Sequence, residues 1–370
     1  STTFSGRIDT LLDYPLLAVV WAALYRRHEG GEELVRDILP AARGVVEYFD
    51  RRCDDRGLFD WGWTGPLPHH DWEHRYGDHE LRFGDRLNLF IDHAGMGWHG
   101  AGKPGIDRRG VNAAINLLRV RAMHALAELE QGVGDPAAGE ACRDRARALQ
   151  DAVREAFHDE DDGLFHDGEL DGERLESKSQ QTNTWALWAR IVEGDHETAL
   201  AQRILDADPA RLATNGPYFW TYLYPALTRL GMQRQALAAT RRVYQHMLRQ
   251  GTTTLWETQD GGESDSRCHP WSAGCVQFVL CGIAGLPSGL SLEHPRSLTP
   301  QPTVLERVEA AAMLPEGRWT IAWRRVGDRV ELSGDLPEGV DAPLCGAGGR
   351  ELMRVRGKWQ ATLSIDDFHR

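Results

Sequence analysis

The 370 residues are enough for one large domain and a smaller one, and 41% hydrophobic with 26% charged residues is ordinary for a globular chain. A formal charge of −13 argues against a nucleic-acid partner, whose phosphates it would repel, and suits a neutral partner such as a glycan. The longest apolar run, residues 16–24, is about half of the roughly 20 residues that cross a bilayer, so no membrane partner is expected.

Residue 1 is Ser and no charged-then-apolar leader follows it, so the start reads as a processed or excised end. Helices come first. Residues 13–28 put Tyr14, Leu17, Trp21 and Leu24 on one face, and residues 32–53 do the same with Val35, Ile38, Ala42, Val45, Phe49 and Cys53. Residues 110–132 carry Val111, Ile115, Leu118, Ala122, Leu126 and Leu129, and residues 137–157 carry Cys142, Ala146, Leu149, Val153 and Phe157. Further helices are predicted at 181–194, 196–206, 217–231, 233–250 and 270–284, with Gly216-Pro217 at one start and Gly231 at its end. That makes about nine helices joined mostly by short loops.

A weak repeat runs through them. Asp54-Asp55-Arg56-Gly57-Leu58-Phe59 follows one long helix, and Asp161-Asp162-Gly163-Leu164-Phe165 follows another. Repeated helix hairpins of this kind build helical toroids.

Residues 61–106 differ. They hold Trp61, Trp63, Trp72 and Trp98 with His69, His70, His74, His79, His93 and His99. A long aromatic loop inside a compact domain is usually functional, because tryptophan faces stack on sugar C–H surfaces while His, Asp and Asn bond hydroxyls. His70 and His74 have i, i+4 spacing with Asp71 between them. There is no HExxH pattern and the surroundings are rich in Gly and Pro, so no metal and no cofactor are expected.

After about residue 290 the period becomes two. Residues 319–323 and 329–332 alternate around a Gly327-Asp328 turn, and residues 352–363 read as two strands around Gly357. The division expected is a helical domain over 1–288 and a small antiparallel β-sandwich over 289–370. The six cysteines are scattered with no CxxC pair, so buried free thiols and a reducing, cytoplasmic setting are expected.

The densest polar and aromatic stretch is 251–258, Gly-Thr-Thr-Thr-Leu-Trp-Glu-Thr, followed by 266–274, Ser-Arg-Cys-His-Pro-Trp-Ser-Ala-Gly. Glu257 at the rim of a pocket could activate a water, with His269 and Trp271 bonding and stacking on the same sugar. Taken singly, Glu257 reads as a surface carboxylate, and His269-Pro270-Trp271 as a helix cap with a core anchor. The two segments together, after a helical array, are more specific.

These residues resemble the bacterial α-L-rhamnosidases of glycoside hydrolase family 78. The ordered matches are Asp13-Tyr14-Pro15-Leu16-Leu17, Leu89-Phe90-Ile91-Asp92, residues 110–116, Gly216-Pro217-Tyr218-Phe219, residues 252–257 and residues 268–274; the β tail is similar as well. The resemblance implies an (α/α)6 barrel and an inverting hydrolase that releases L-rhamnose. It implies Glu257 as general base, Asp92 as a sugar-contacting carboxylate, and His269 and Trp271 as pocket lining. Trp256, Tyr218, Asp71, Trp72 and His93 complete the expected sugar-binding set.

The chain departs from the family pattern in three ways. The family's Trp after Ile-Asp is His93 here. The family's general acid lies in an Arg-Glu-containing motif upstream of the matched segments, and none precedes them here. By the family architecture, about three of twelve helices would lie before residue 1. A late-starting chain, completed by an upstream polypeptide or an oligomeric partner, accounts for this; so does a shortened enzyme that uses Asp71, Glu73, Asp13 or Asp92 as acid. The alternatives are another glycosidase on the same barrel, or a non-catalytic carbohydrate-binding protein.

Overall fold

The computed structural model describes residues 10–29, 31–62, 87–89, 91–92, 105–261, 265–287 and 296–369. The chain divides into two compact units, residues 1–26 with 31–219, and residues 27–30 with 220–370.

The first unit is built from helices α1 (Asp13–Glu29), α2 (Glu32–Asp50), α3 (Ala113–Val133), α4 (Pro136–Phe157), α5 (Gln180–Trp188) and α6 (Asp195–Leu205). Two kinds of helix alternate. α2, α4 and α6 each bury one stripe: Val35, Leu39, Ala42, Val46 and Phe49 in α2, and Cys142, Ala146, Leu149, Val153 and Phe157 in α4. α3 and α5 are buried nearly all round, as helices packed on several sides must be.

α1 departs from expectation. Its buried residues include Leu16, Leu17, Val19, Val20, Ala22 and Ala23, whereas Tyr14 is exposed and Trp21 is 50% exposed. The helix is apolar on most of its surface, so periodicity alone could not choose the face. α5 also stops short of the expected 194, turning at Arg190 with φ +56°.

The α3–α4 hairpin shows how the sequence sets its local structure. Asp135 caps α4 by accepting from the Ala137 N–H, and Pro136 occupies the first helical position, where no N–H is needed. At Gly139 a Cβ would lie 2.9 Å from the Ala127 carbonyl oxygen, so the glycine permits the close approach of the two helices. Arg43 of α2 forks onto Glu130 of α3 at 2.6 and 2.7 Å, and Glu130 also accepts from Asp135 N–H. The Arg43 hydrogen bonds hold the Glu130 carboxyl below its ordinary range against the opposing effect of burial.

Short strands stitch this unit together. β1 (Thr10–Leu11) pairs in parallel with β2 (Leu87–Asn88), and β3 (Val111–Asn112) pairs antiparallel with β4 (Gly168–Leu170), which pairs with β5 (Glu173–Arg174). The sequence repeat is structural. Phe59 and Phe165 are fully buried, and each forms a bridge back to the end of its preceding helix, Cys53 with Phe59 and His158 with Phe165.

The second unit begins with α7 (Trp220–Arg229) and α8 (Gln233–Arg249). The helix expected at 270–284 is composite: a 3-10 turn Pro270–Ala273, an α turn Gly274–Gln277 and a π segment Phe278–Ile283.

The β module then forms two antiparallel sheets. β6 (Arg307–Leu314), β7 (Gly317–Val326), β8 (Arg329–Asp335) and β11 (Lys358–Ser364) make one, in the order β11-β8-β7-β6; β9 (Asp341–Cys345) and β10 (Glu351–Arg356) make the other. The strands on either side of Gly357 therefore join different sheets. Trp319, Ile321, Trp323, Val330 and Leu332 from one sheet share a buried cluster with Ala342, Leu344 and Val355 from the other, which makes the module a sandwich.

Among the described residues no helix is long and apolar enough to cross a membrane. All six cysteines are free thiols.

Candidate active site

In the second unit the two sequence segments fold against each other. The Glu257 N–H donates to the Ser266 carbonyl at 2.8 Å, and the His269 N–H donates to the Leu255 carbonyl at 2.8 Å. The pairing puts Glu257, His269 and Trp271 together. The Ser266 N–H donates to Glu257 Oε2 at 2.8 Å, and His269 Nδ1 lies 3.7 Å from the same oxygen. The Trp271 indole N–H donates to the Glu257 carbonyl at 3.0 Å, and the His269 and Trp271 rings sit 4.2 Å apart between centroids. The Glu257 side chain is 16% exposed, so it is held by the protein and still reaches solvent.

The hairpin rests on a buried base. Trp256 is 3% exposed; its indole N–H donates to Thr252 Oγ1 at 3.0 Å, and the Arg267 guanidinium lies over its ring. Ser272 Oγ donates to the Trp256 carbonyl, and the Tyr244 hydroxyl donates to the Ser272 carbonyl at 2.7 Å. Trp256 thus supports the segment from within, and Trp271, half-buried, is the more open indole. Gly261, at φ +62°, packs so closely on Trp256 that a Cβ there would collide with the ring.

Asp92 belongs to the first unit. Its carboxylate is 1% exposed, and Oδ2 accepts from Gln181 Nε2 and from the Gly216 N–H, both at 2.8 Å. The Asp92 carbonyl accepts from Arg108 Nη2 at 3.3 Å. Ile91 just before it has φ +60°, a conformation that a β-branched residue adopts only under strain of about 1–3 kcal/mol. Its N–H donates to Asp13 Oδ2 at 3.0 Å. Tyr218, two residues after Gly216, is buried with its ring edge-on to Phe219.

A second buried carboxyl, Asp167, belongs to the same unit. Asp167 Oδ1 accepts from Ser179 Oγ and Thr182 Oγ1, each at 2.6 Å, and burial pushes its titration above the usual carboxylate range.

The structure therefore brings together Glu257, Trp256, His269 and Trp271 in one unit, and Asp92 with the Gly216–Tyr218 stretch in the other. Asp71, Trp72 and His93, with Glu73, His70 and His74, lie outside the described residues. Among the described residues no three His, Cys, Asp or Glu side chains gather to hold a metal.

Sequence reasoning missed Gln181, Gly216 and Arg108 as partners of Asp92. The available signal was the start of α5, Ser179-Gln180-Gln181-Thr182-Asn183-Thr184, a polar run that the structure buries completely. A helix start that polar survives burial only with partners waiting for it.

Residues 15–282 match the family of bacterial α-L-rhamnosidase six-hairpin glycosidase domains. Among solved structures, a GH78 family rhamnosidase of Bacillus sp. GL1 superposes at TM-score 0.75 with 23% identity, over 95% of this chain and 35% of that one. A rhamnosidase from Klebsiella oxytoca with rhamnose bound gives 0.56 and 21%, over 73% and 46%. A Streptomyces avermitilis α-L-rhamnosidase complexed with L-rhamnose gives 0.61 and 16%, over 91% and 31%. At these identities the likeness is one of fold: mainly α, of the six-hairpin kind, followed by an antiparallel β module. This chain spans between about a third and a half of the length of those enzymes. No curated protein matches the sequence. With more than two thirds of its residues matched, the chain belongs to the bacterial α-L-rhamnosidase six-hairpin glycosidase domain family.

Proposed function

We propose that this chain is the helical module of an inverting α-L-rhamnosidase, removing terminal rhamnose from glycosides or oligosaccharides with Glu257 as general base. The observation that carries the proposal is the pairing of residues 252–258 with 265–272, which gathers a held but solvent-reaching carboxylate, an imidazole and an indole. Family membership and the rhamnose bound in the Klebsiella and Streptomyces enzymes support L-rhamnose as the sugar.

In this reaction the Glu257 carboxylate takes a proton from a water as the water oxygen attacks the anomeric carbon. A second carboxylic acid protonates the glycosidic oxygen on the opposite face, and the bond to the leaving group breaks. His269 and Asp92 bond sugar hydroxyls and Trp271 offers a stacking face, with Asp71, Trp72, His93 and Tyr218 completing the set and Trp256 holding Glu257 from beneath. Residues 1–288 form the catalytic module and 289–370 the β-sandwich module. The solved rhamnosidases carry more than half of their length outside the stretch matched by this chain, which fits an acid supplied by a further polypeptide or an oligomeric partner. Six free thiols suit a reducing compartment such as the cytoplasm.

A panel of p-nitrophenyl glycosides, combined with calorimetric titration of free sugars, tests the substrate. The expected result is a preference for the α-L-rhamnoside and for L-rhamnose. Faster turnover of another glycoside would replace rhamnose with that sugar, and binding of rhamnose without any turnover would select a carbohydrate-binding role.

A further inference from the structure

We propose that Gln181 is a positioning residue for the sugar site: it holds the Asp92 carboxylate in its binding orientation, with Asp13 fixing the strained backbone beside it. This rests on the reading above, in which Asp92 contacts the sugar.

The chemistry of the contacts fixes the orientation of the Gln181 amide. Its Nε2 faces two acceptors, Asp92 Oδ2 at 2.8 Å and the Thr214 carbonyl at 2.7 Å. A flipped amide would set an oxygen against both, so the nitrogen must point this way. The Gly216 N–H, at 2.8 Å, joins it on the same carboxylate oxygen.

The residue is pinned elsewhere too. Arg108 Nη2 donates to the Asp92 carbonyl, and Asp13 Oδ2, fully buried at the start of α1, receives the N–H of Ile91. A β-branched residue at φ +60° returns to an ordinary conformation unless its surroundings over-determine it. Carboxylate, carbonyl and preceding peptide are thus each fastened, from the starts of α1 and α5 and from the segment before α3. Such support is how a binding group is kept in one geometry.

Gln180, next to it, supplies the control. It is also buried and, among the described residues, bonds to backbone, Nε2 to the Ile204 carbonyl at 2.6 Å and Oε1 from the Asn215 N–H at 2.6 Å. A purely structural role predicts that the two glutamines behave alike.

The test is calorimetric titration of L-rhamnose into the wild-type chain and the Gln181→Ala, Gln181→Glu, Gln180→Ala, Asp92→Ala and Asp92→Ala/Gln181→Ala variants, each with its thermal unfolding recorded. Gln181→Ala is expected to weaken rhamnose binding about tenfold or more while unfolding within a few degrees of Gln180→Ala. Gln181→Glu, which keeps the shape and sets an acceptor against two acceptors, is expected to weaken it at least as much. In the Asp92→Ala background the Gln181→Ala change should add nothing, because the residue acts through Asp92. Wild-type affinity in Gln181→Ala, or equal losses in Gln181→Ala and Gln180→Ala, overturns the positioning role and leaves the rhamnosidase reading standing. Failure of the wild-type chain to bind rhamnose overturns both.

Discussion

Asn116 grips the backbone of Phe59 from both sides: its Oδ1 accepts the Phe59 N–H at 2.8 Å, and its Nδ2 donates to the Phe59 carbonyl at 3.1 Å. One hairpin later Asn183 does the same to Phe165, at 2.8 and 3.2 Å. In both repeats the asparagine is the fourth residue of its helix, and its Nδ2 also bonds the carbonyl of the N-cap residue, Asn112 or Ser179. The clamp satisfies the buried N–H and C=O of each phenylalanine.

Replacing either asparagine with alanine leaves a buried N–H and C=O without partners. Each of Asn116→Ala and Asn183→Ala is expected to cost about 2–4 kcal/mol of unfolding free energy. Urea titrations of the two variants measure this. A loss of less than about 0.5 kcal/mol in either, as is usual at surface sites, would show that the clamp contributes nothing at that repeat.

Gly261 should be sensitive because it is squeezed against Trp256. Gly261→Ala adds a Cβ at a positive φ and drives it into the indole, which costs about 2–4 kcal/mol from strain and overpacking together. Trp256 carries the Glu257 backbone, so rhamnose binding should weaken along with stability. Affinity by calorimetry together with tryptophan emission checks this, and a variant with unchanged emission and affinity would separate the two residues.

Asp167 makes stability depend on pH. Burial raises its titration above the ordinary value, so the folded chain binds this proton more tightly than the unfolded chain does. Its contribution is complete below the ordinary Asp value of about 3.9, and is lost as pH rises through the raised one, with a slope of at most about 1.4 kcal/mol per pH unit. Asp167→Asn cannot ionise, and the Ser179 and Thr182 hydroxyls can still donate to its amide oxygen. The stability gap between the two proteins should therefore shift toward the variant as pH rises from 4 to 8. Parallel curves across that range would mean that Asp167 titrates alike in both states.

How legible all this was in the sequence varied with the physics. α4 was readable because its apolar stripe is narrow and its cap, Asp135-Pro136, is explicit. α1 was readable as a helix but not in its facing, since an element that is apolar nearly all round carries no directional signal. The π segment Phe278–Ile283 has the same apolar spacing as an ordinary helix. β6 hides behind Ala310-Ala311-Ala312, which favours helix locally, and β9 behind Pro343. In the candidate site, Glu257, His269 and Trp271 were visible because they lie within fifteen residues of each other. Gln181 is 89 positions from Asp92, and Gly216 is 124, so their bonds come from tertiary packing and leave no local pattern.

Glu257 is tested by hydrolysis of p-nitrophenyl α-L-rhamnoside by the wild-type chain and by Glu257→Gln, with L-rhamnose binding measured on both. Because p-nitrophenolate departs without protonation, the wild-type chain is expected to turn this substrate over even without a partner's acid, releasing β-L-rhamnose first, while Glu257→Gln loses about 100-fold or more in kcat and still binds rhamnose. Unchanged turnover in Glu257→Gln, or initial release of the α anomer, would contradict Glu257 as the base of an inverting reaction.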